Sequence, residues 1–102
     1  MPSNGDLGRA IRRLRHARKL TIEDLAHAAE AHPTYVGRIE RGGASPTFEK
    51  IVLLARALDV SLPVLMHRAE DEAEVTQAMR EARMRIEADR HRGGIGGLPP
   101  IE

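Results

Sequence analysis

The 102-residue chain contains no cysteine and no tryptophan, and Tyr35 and Phe48 are its only aromatic residues apart from histidine. Without cysteine it can form neither a disulfide nor a thiolate metal site, and aliphatic side chains and methionine must build its core. No apolar run approaches the roughly 20 residues of a membrane span, and the N-terminus lacks the apolar core of a signal peptide. These absences favour a soluble protein, which we expect to be cytoplasmic and without membrane contact.

Charge is distributed unevenly, although the formal net charge is only +1. Residues 1–68 carry 11 Lys/Arg against 7 Asp/Glu, whereas residues 69–102 carry 5 against 8. Six basic residues crowd the first predicted helix: Arg9, Arg12, Arg13, Arg15, Arg18 and Lys19. A basic first part suits a polyanionic partner, and a solvated basic helix face accounts for the same pattern equally well.

Apolar residues recur at helical spacing in the first part of the chain. They predict a first helix over about residues 7–19, capped by Asp6. Thr21 caps a second helix, because Thr-x-x-Asp is a variant of the capping box. Pro33 suits the first position of a third helix, where its missing N–H costs nothing. Gly42 can end that helix in a left-handed conformation.

Two further helices follow a Ser-Pro-Thr loop. Thr47 is the expected N-cap of the fourth helix, whose broad buried face should include Phe48. Ser61 caps a fifth helix that is expected to end near Ala69. The predicted organisation is therefore one domain over residues 1–69, a charged helical extension over residues 70–92 and a disordered tail over residues 93–102.

The extension carries an apolar seam about two heptads long. The seam consists of Val75, Met79, Ala82 and Ile86, spaced 4, 3 and 4 residues apart. It can pair with its twin in a homodimer, pack back on the preceding domain, or bind another protein. Because two heptads make a marginal coiled coil, a dimer would also need surface from the fifth helix.

Residues 21–42 are the most informative stretch, because they form two short predicted helices joined by a tight turn. The second of these helices is apolar on one side and offers Thr34, Arg38 and Arg41 on the other. This arrangement is typical of a rigid probe for the major groove of DNA.

Four motifs in this order resemble the Cro/C1-type helix-turn-helix family, also described as xenobiotic-response-element-like. They are LT-x-E-D-LA at 20–26, Y-V-x-RIERG at 35–42, SPTFEKI at 45–51 and LARALDVSL at 54–62. The resemblance covers about residues 7–69. It implies an all-α, five-helix, lambda-repressor-like DNA-binding domain, here with a C-terminal extension helix, of bacterial or phage type and associated with the nucleoid.

The resemblance also assigns roles to individual positions, with a recognition helix over about residues 33–41. Contacts to base edges are expected from His32, Pro33, Thr34 and Arg38. Contacts to backbone phosphates are expected from Thr21, Ile22, Tyr35, Arg41, Ser45, Thr47 and Lys50. A structural ion pair is expected between Arg15 and Glu40.

Some positions depart from the family pattern. Ile22 stands where a Gln often touches DNA, Pro33 cannot donate a hydrogen bond, and Gly37 has no side chain on a face that often reads DNA. Phosphate anchoring must then rely on arginines of the first helix or on backbone N–H groups. Glu30 replaces the usual turn glycine, so it must adopt a left-handed conformation or the turn must differ.

Arg38 is the principal candidate for reading a base, because its fork matches the O6 and N7 atoms of guanine. A phosphate contact is the alternative. Tyr35 either packs at the edge of the helix or reaches a phosphate with its hydroxyl. Arg41 also suits the C-terminal end of a helix through the helix dipole.

The sequence therefore predicts a sequence-specific transcriptional regulator, a repressor that binds an inverted-repeat operator in double-stranded DNA as a homodimer. One alternative is an antitoxin-type autorepressor that holds a toxin through residues 70–92. Another is a protein-interaction adaptor that keeps the helix-turn-helix only for packing. No catalytic constellation and no metal-ligand spacing is present, so we expect no enzymatic activity, no cofactor and no metal.

Overall fold

The computed structural model describes residues 1–91, and within that range the chain is helical with no strand. The helices are α1 (Asn4–Ala17), α2 (Ile22–Ala28), α3 (Pro33–Glu40), α4 (Phe48–Ala57) and α5 (Leu62–His91). The predicted all-α class is confirmed, whereas the tail expected over residues 93–102 lies outside the described residues. Across residues 1–91, none of the helices is both long enough and apolar enough to cross a bilayer.

Side-chain caps set the beginnings of the helices. Ser3 Oγ accepts from the Asp6 N–H at 3.1 Å, and the Asp6 carboxylate accepts from the Ser3 N–H at 2.8 Å. The prediction that Asp6 caps α1 was therefore wrong, because Ser3 and Asp6 form a capping box that starts the helix earlier. The expected box of Thr21 is present at α2, and the Thr47 side chain caps α4 as expected.

The turn between α2 and α3 contains a left-handed residue. Glu30 has φ of 57°, so of the two outcomes expected for this non-glycine residue, the left-handed conformation is the one adopted. Lys50 Nζ donates to the carbonyl oxygens of Ala29 and Glu30, at 3.4 and 2.9 Å. This ammonium satisfies acceptors that the end of α2 leaves open, and it ties α4 to the turn.

The core is aliphatic throughout, with Ile11, Leu25, Ile39, Leu54 and Leu58 at most 1% exposed. The prediction that Phe48 belongs to the buried face of α4 was wrong, since its side chain is 68% exposed. Phe48 is the first residue of α4, and the residues one to three turns later supply the face that reaches the core.

Two glycines let α1 and the end of α3 touch backbone to backbone. A Cβ on Gly8 would lie 2.2 Å from the carbonyl oxygen of Ile39 and 2.6 Å from that of Glu40. Gly42 has φ of 78°, and its Cβ would lie 2.9 Å from the Cα of Gly5. No larger residue fits at either position, so these contacts fix α3 on the body of the domain.

The fifth helix does not end near Ala69 as predicted, since α5 spans 30 residues in all, from Leu62 to His91. The described part of the charged extension and the fifth helix are thus one helix, without a glycine or an internal proline after Pro63 to interrupt it. Its middle packs on α1, where Glu72 pairs with Arg9 at 3.6 Å and with Arg13. Arg9 Nη2 also donates to Thr76 Oγ1 at 3.3 Å.

The seam on α5 does not pack back on the domain. Val75, Met79 and Ile86 are 54%, 65% and 49% exposed. Of the three interpretations that the sequence left open, this removes the second and leaves a twin chain or another protein as the partner of the seam.

Candidate nucleic-acid interface

The first turn of α3 is organised by His32 and Pro33. His32 is the N-cap, and its Nδ1 accepts from the Thr34 N–H at 3.0 Å. Pro33 occupies the first helical position, as its missing donor predicted. In the neutral ring an accepting Nδ1 leaves the proton on Nε2. The exposed imidazole therefore presents a donor at the tip of the helix.

The two sides of α3 differ sharply. Val36 and Ile39 are buried in the core, at 0% and 1% exposure. Thr34, Arg38 and Arg41 are exposed, and Arg38 Nη2 donates to the carbonyl oxygen of Gly43 at 3.2 Å. Arg38 is thus held at the surface by a single exposed hydrogen bond, which a stronger acceptor could replace.

An open groove of about 640 Å³ lies between the start of α2 and α3. Its walls bring together several of the residues expected to contact DNA. They are Thr21, Ile22, Pro33, Thr34 and Arg41. Gly37, Glu23 and Arg15 also line this groove, which we call the α2–α3 groove.

Other expected contact residues lie outside the α2–α3 groove. Tyr35 is half-buried and packs against the core. Thr47 Oγ1 accepts from the Lys50 N–H, and the Lys50 ammonium is bonded to the end of α2. Ser45 is exposed in the loop before them. These residues lie on α3, on the loop that follows it and in the first turn of α4.

The expected pair of Arg15 and Glu40 is present and buried, with the two residues 8% and 7% exposed. Arg15 Nε donates to Glu40 Oε2 at 2.7 Å and Nη2 donates to Oε1 at 3.0 Å. A third nitrogen donates to the carbonyl oxygen of Leu20 at 2.9 Å. The hydrogen bonds with Glu40 raise the pKa of Arg15. The pair joins α1, the loop before α2 and the end of α3, and so helps to set the angle of α3.

Most arginines of α1 are engaged within the protein. Arg9 and Arg13 pair with Glu72, and Arg15 pairs with Glu40. Arg18 contacts Asp59 at 3.5 Å. The sequence left α1 as a source of phosphate anchors, and these pairs show that much of its charge balances acidic residues of the same chain.

The sequence pattern missed three residues that position this surface. Gly8 seats α3 on α1, Ser3 starts α1, and Glu72 binds α5 to α1. Ser3 and Asp6 stand at capping-box spacing, which is a signal present in the sequence. Gly8 and Glu72 act across elements, and no local pattern marks them.

Comparison with known proteins supports the fold and the family. The helix-turn-helix family model HTH_3 matches residues 11–65. Control protein C.SmaI of Serratia marcescens is 36% identical over 62 residues, covering 61% of this chain and 74% of that protein. The clp gene regulator ClgR of Corynebacterium glutamicum superposes with a TM-score of 0.73 and 28% identity, over 81% of this chain and 87% of its own.

A third relative has been solved with DNA. The restriction-modification controller protein C.Esp1396I, a tetramer in complex with its natural 35-base-pair operator, is 28% identical with a TM-score of 0.63. The match covers 68% of this chain and 91% of that one. The four sequence motifs, the five-helix fold and the family match agree, and the chain belongs to the Cro/C1-type helix-turn-helix family.

Proposed function

We propose that this protein is a sequence-specific transcriptional regulator, a repressor that occupies an inverted-repeat operator as a dimer. One observation carries the proposal. The helix α3 is fixed at its start by His32 and Pro33 and at its end by the contact of Gly42 with α1, and it presents Thr34, Arg38 and Arg41 outward. A short, rigid helix with polar side chains on its exposed face suits the major groove.

The proposal gives each of these residues the role that the family resemblance implies. His32, Pro33, Thr34 and Arg38 face base edges, and Arg38 exchanges the Gly43 carbonyl for a guanine. Phosphates of the DNA backbone meet two groups of residues. The first group lines the α2–α3 groove: Thr21, Ile22 and Arg41. The second group lies outside the groove, on α3, on the loop after it and in the first turn of α4: Tyr35, Ser45, Thr47 and Lys50.

The dimer places two copies of α3 in successive major grooves, about 34 Å apart. The exposed seam of Val75, Met79, Ala82 and Ile86 supplies apolar surface for the pairing of two α5 helices. Assembly on an operator is described for the related C.Esp1396I protein. Bound across a promoter, such a dimer blocks polymerase without any enzymatic step, in the cytoplasm where bacterial DNA is accessible.

The alternatives have less support. The relatives found are a control protein, a restriction-modification controller and a gene regulator, which favours regulation over an adaptor role. The antitoxin alternative places another protein on the seam of α5, and it predicts a toxin encoded beside this chain.

The test begins with a DNA fragment selected from genomic DNA by the full-length protein. We expect Arg38→Ala to weaken binding to that fragment by more than about tenfold, since a bidentate arginine–guanine pair is worth about 1–3 kcal/mol. Arg56→Ala is the matched control, because it removes the same charge from an exposed site in the last turn of α4. Equal affinities for Arg38→Ala and Arg56→Ala in a mobility-shift titration would contradict the assignment of the recognition helix.

A further inference from the structure

Gly37 is buried, although it lines the open α2–α3 groove. A Cβ built on Gly37 would lie 3.2 Å from Nη1, 3.8 Å from Nη2 and 3.9 Å from Cζ of Arg41. These three atoms, the nearest to that position, all belong to one guanidinium group. The side chain of Arg41 thus folds back by one helical turn and covers the glycine.

In this conformation Arg41 lines the groove, as do Pro33 and Thr34. The other guanidinium lining the groove, that of Arg15, is committed to Glu40 and to the Leu20 carbonyl. Of the two arginines that line this groove, Arg41 is therefore the one whose guanidinium is exposed and can bind an anion.

We propose that Gly37 is a positioning residue, and that its missing side chain lets Arg41 lie across α3 and hold a DNA backbone phosphate in the α2–α3 groove. The inference rests on the proposed function and deepens it. It changes the meaning of Gly37, which as a sequence feature is only a lost contact. Here the absence of a side chain leaves room for the guanidinium of Arg41, from the next turn, to make a stronger, charge-assisted contact.

The geometry explains why a side chain at position 37 would leave the fold intact but would displace the Arg41 guanidinium from the groove. An alanine Cβ at 3.2 Å is tight, and the atom it meets is the far end of a flexible side chain. The guanidinium can move aside at little cost to the domain. Alanine also favours the helix over glycine. Stability and DNA affinity should therefore change in opposite directions.

The test is a double-mutant cycle of Gly37→Ala and Arg41→Ala on the selected operator fragment, by fluorescence anisotropy over a series of salt concentrations. We expect Arg41→Ala to weaken binding by about tenfold and to reduce the salt slope by about 0.9. Gly37→Ala should weaken binding by about threefold or more in the wild-type background and should leave the affinity of the Arg41→Ala protein unchanged. Its melting temperature should equal or exceed that of the wild type.

Gly5→Ala is the matched control, since its added Cβ makes only ordinary contacts, the nearest at 3.5 Å to the Arg9 side chain, and Gly5 does not line the groove. It should bind DNA like the wild type. Wild-type affinity in Gly37→Ala would overturn the proposal, and so would an equal loss in the Arg41→Ala background, because the backbone at position 37 would then make the contact. Failure of the wild type to bind any selected fragment would instead contradict the proposed function.

Discussion

The inner and outer parts of α5 show how differently one helix can be supported. Up to Thr76 it packs on α1, with Leu65 and Ala69 fully buried and Glu72 paired with arginines of α1. Farther on, Met79 and Ile86 are 65% and 49% exposed, and the described chain measures 56 Å along its longest axis against 25 and 22 Å across. The inner part belongs to the domain, whereas the outer part extends from it.

The inner and outer parts of α5 differ in what stabilises them. A helix of about a dozen residues is marginal in water by itself, so the packed turns of α5 must nucleate the outer ones. A charged helix with an apolar seam gains further support when the seam is covered. The inner part of α5 is stabilised by contacts within the domain. The outer part exposes its seam, which the proposed dimer would cover.

The largest effect is expected inside the domain, from Gly8→Ala. Its Cβ would meet backbone carbonyls at 2.2 and 2.6 Å, which cannot move aside as a side chain could. Overpacking typically costs about 1–3 kcal/mol, and this contact should exceed that range and displace α3. Urea unfolding followed by circular dichroism should show a domain that is largely unfolded, while Gly5→Ala on the same helix stays folded. A native stability for Gly8→Ala would contradict the close approach of α1 and α3.

The next effect is expected from Glu40→Ala, which leaves Arg15 buried without its carboxylate. Breaking a buried pair typically costs about 3–5 kcal/mol, whereas an apolar replacement of both partners is often nearly neutral. We therefore expect Glu40→Ala to lose about 3 kcal/mol in urea unfolding and the double variant Arg15→Met, Glu40→Leu to recover most of it. A double variant as unstable as the single one would indicate that the pair stabilises the fold by more than the compensation of each buried charge by the other.

A smaller effect, confined to assembly, is expected in the outer part of α5. Met79→Asp places a charge in the seam, whereas Met84→Asp changes an equally exposed methionine, also 65% accessible, outside the seam. Covering a methionine is worth about 1.5–3 kcal/mol, so Met79→Asp should weaken the dimer by more than about tenfold in sedimentation equilibrium. In both variants the domain that precedes the outer part of α5 should unfold at the same midpoint as in the wild type. Equal dimer dissociation constants for the two variants would contradict a dimer interface at the seam.

The smallest effect concerns pH and the caps. Hydrogen bonds from the backbone N–H and hydroxyl of Ser3 lower the pKa of Asp6 below its ordinary 3.8, and those of Thr21 do the same for Asp24. A carboxylate with a lowered pKa stabilises the folded state above the unfolded value, and this contribution disappears as pH falls through the folded value. Stability should therefore decline below about pH 4. Asp6→Asn with Asp24→Asn should flatten that decline in urea titrations, and an unchanged slope would count against the two capping boxes.

The sequence predicted the features that depend on neighbouring residues. The caps at Thr21 and Thr47, the start of α3 at Pro33 and its end at Gly42 all follow from local chemistry. The pair of Arg15 and Glu40 came from the family resemblance, since no local pattern joins residues 25 positions apart.

Features that depend on contacts between elements could not be predicted in the same way. The exposure of Phe48 depends on where the core ends, and the packing of α5 on α1 depends on the pairing of Glu72 with Arg9 and Arg13. The role of Gly8 depends on how closely α3 approaches α1. For the candidate interface, the sequence identified residues on the exposed face of α3, and the structure added the groove and the position of Arg41 within it.

Selection of genomic fragments by the full-length protein, in parallel with the Arg38→Ala protein, tests the central claim most directly. We expect the wild type to enrich a motif with twofold symmetry and half-sites about one helical turn apart, or a multiple of it. Arg38→Ala should lose enrichment or relax one position in each half-site. Fragments without a shared motif, or the same motif at the same enrichment from both proteins, would contradict the account of α3 as the helix that reads DNA.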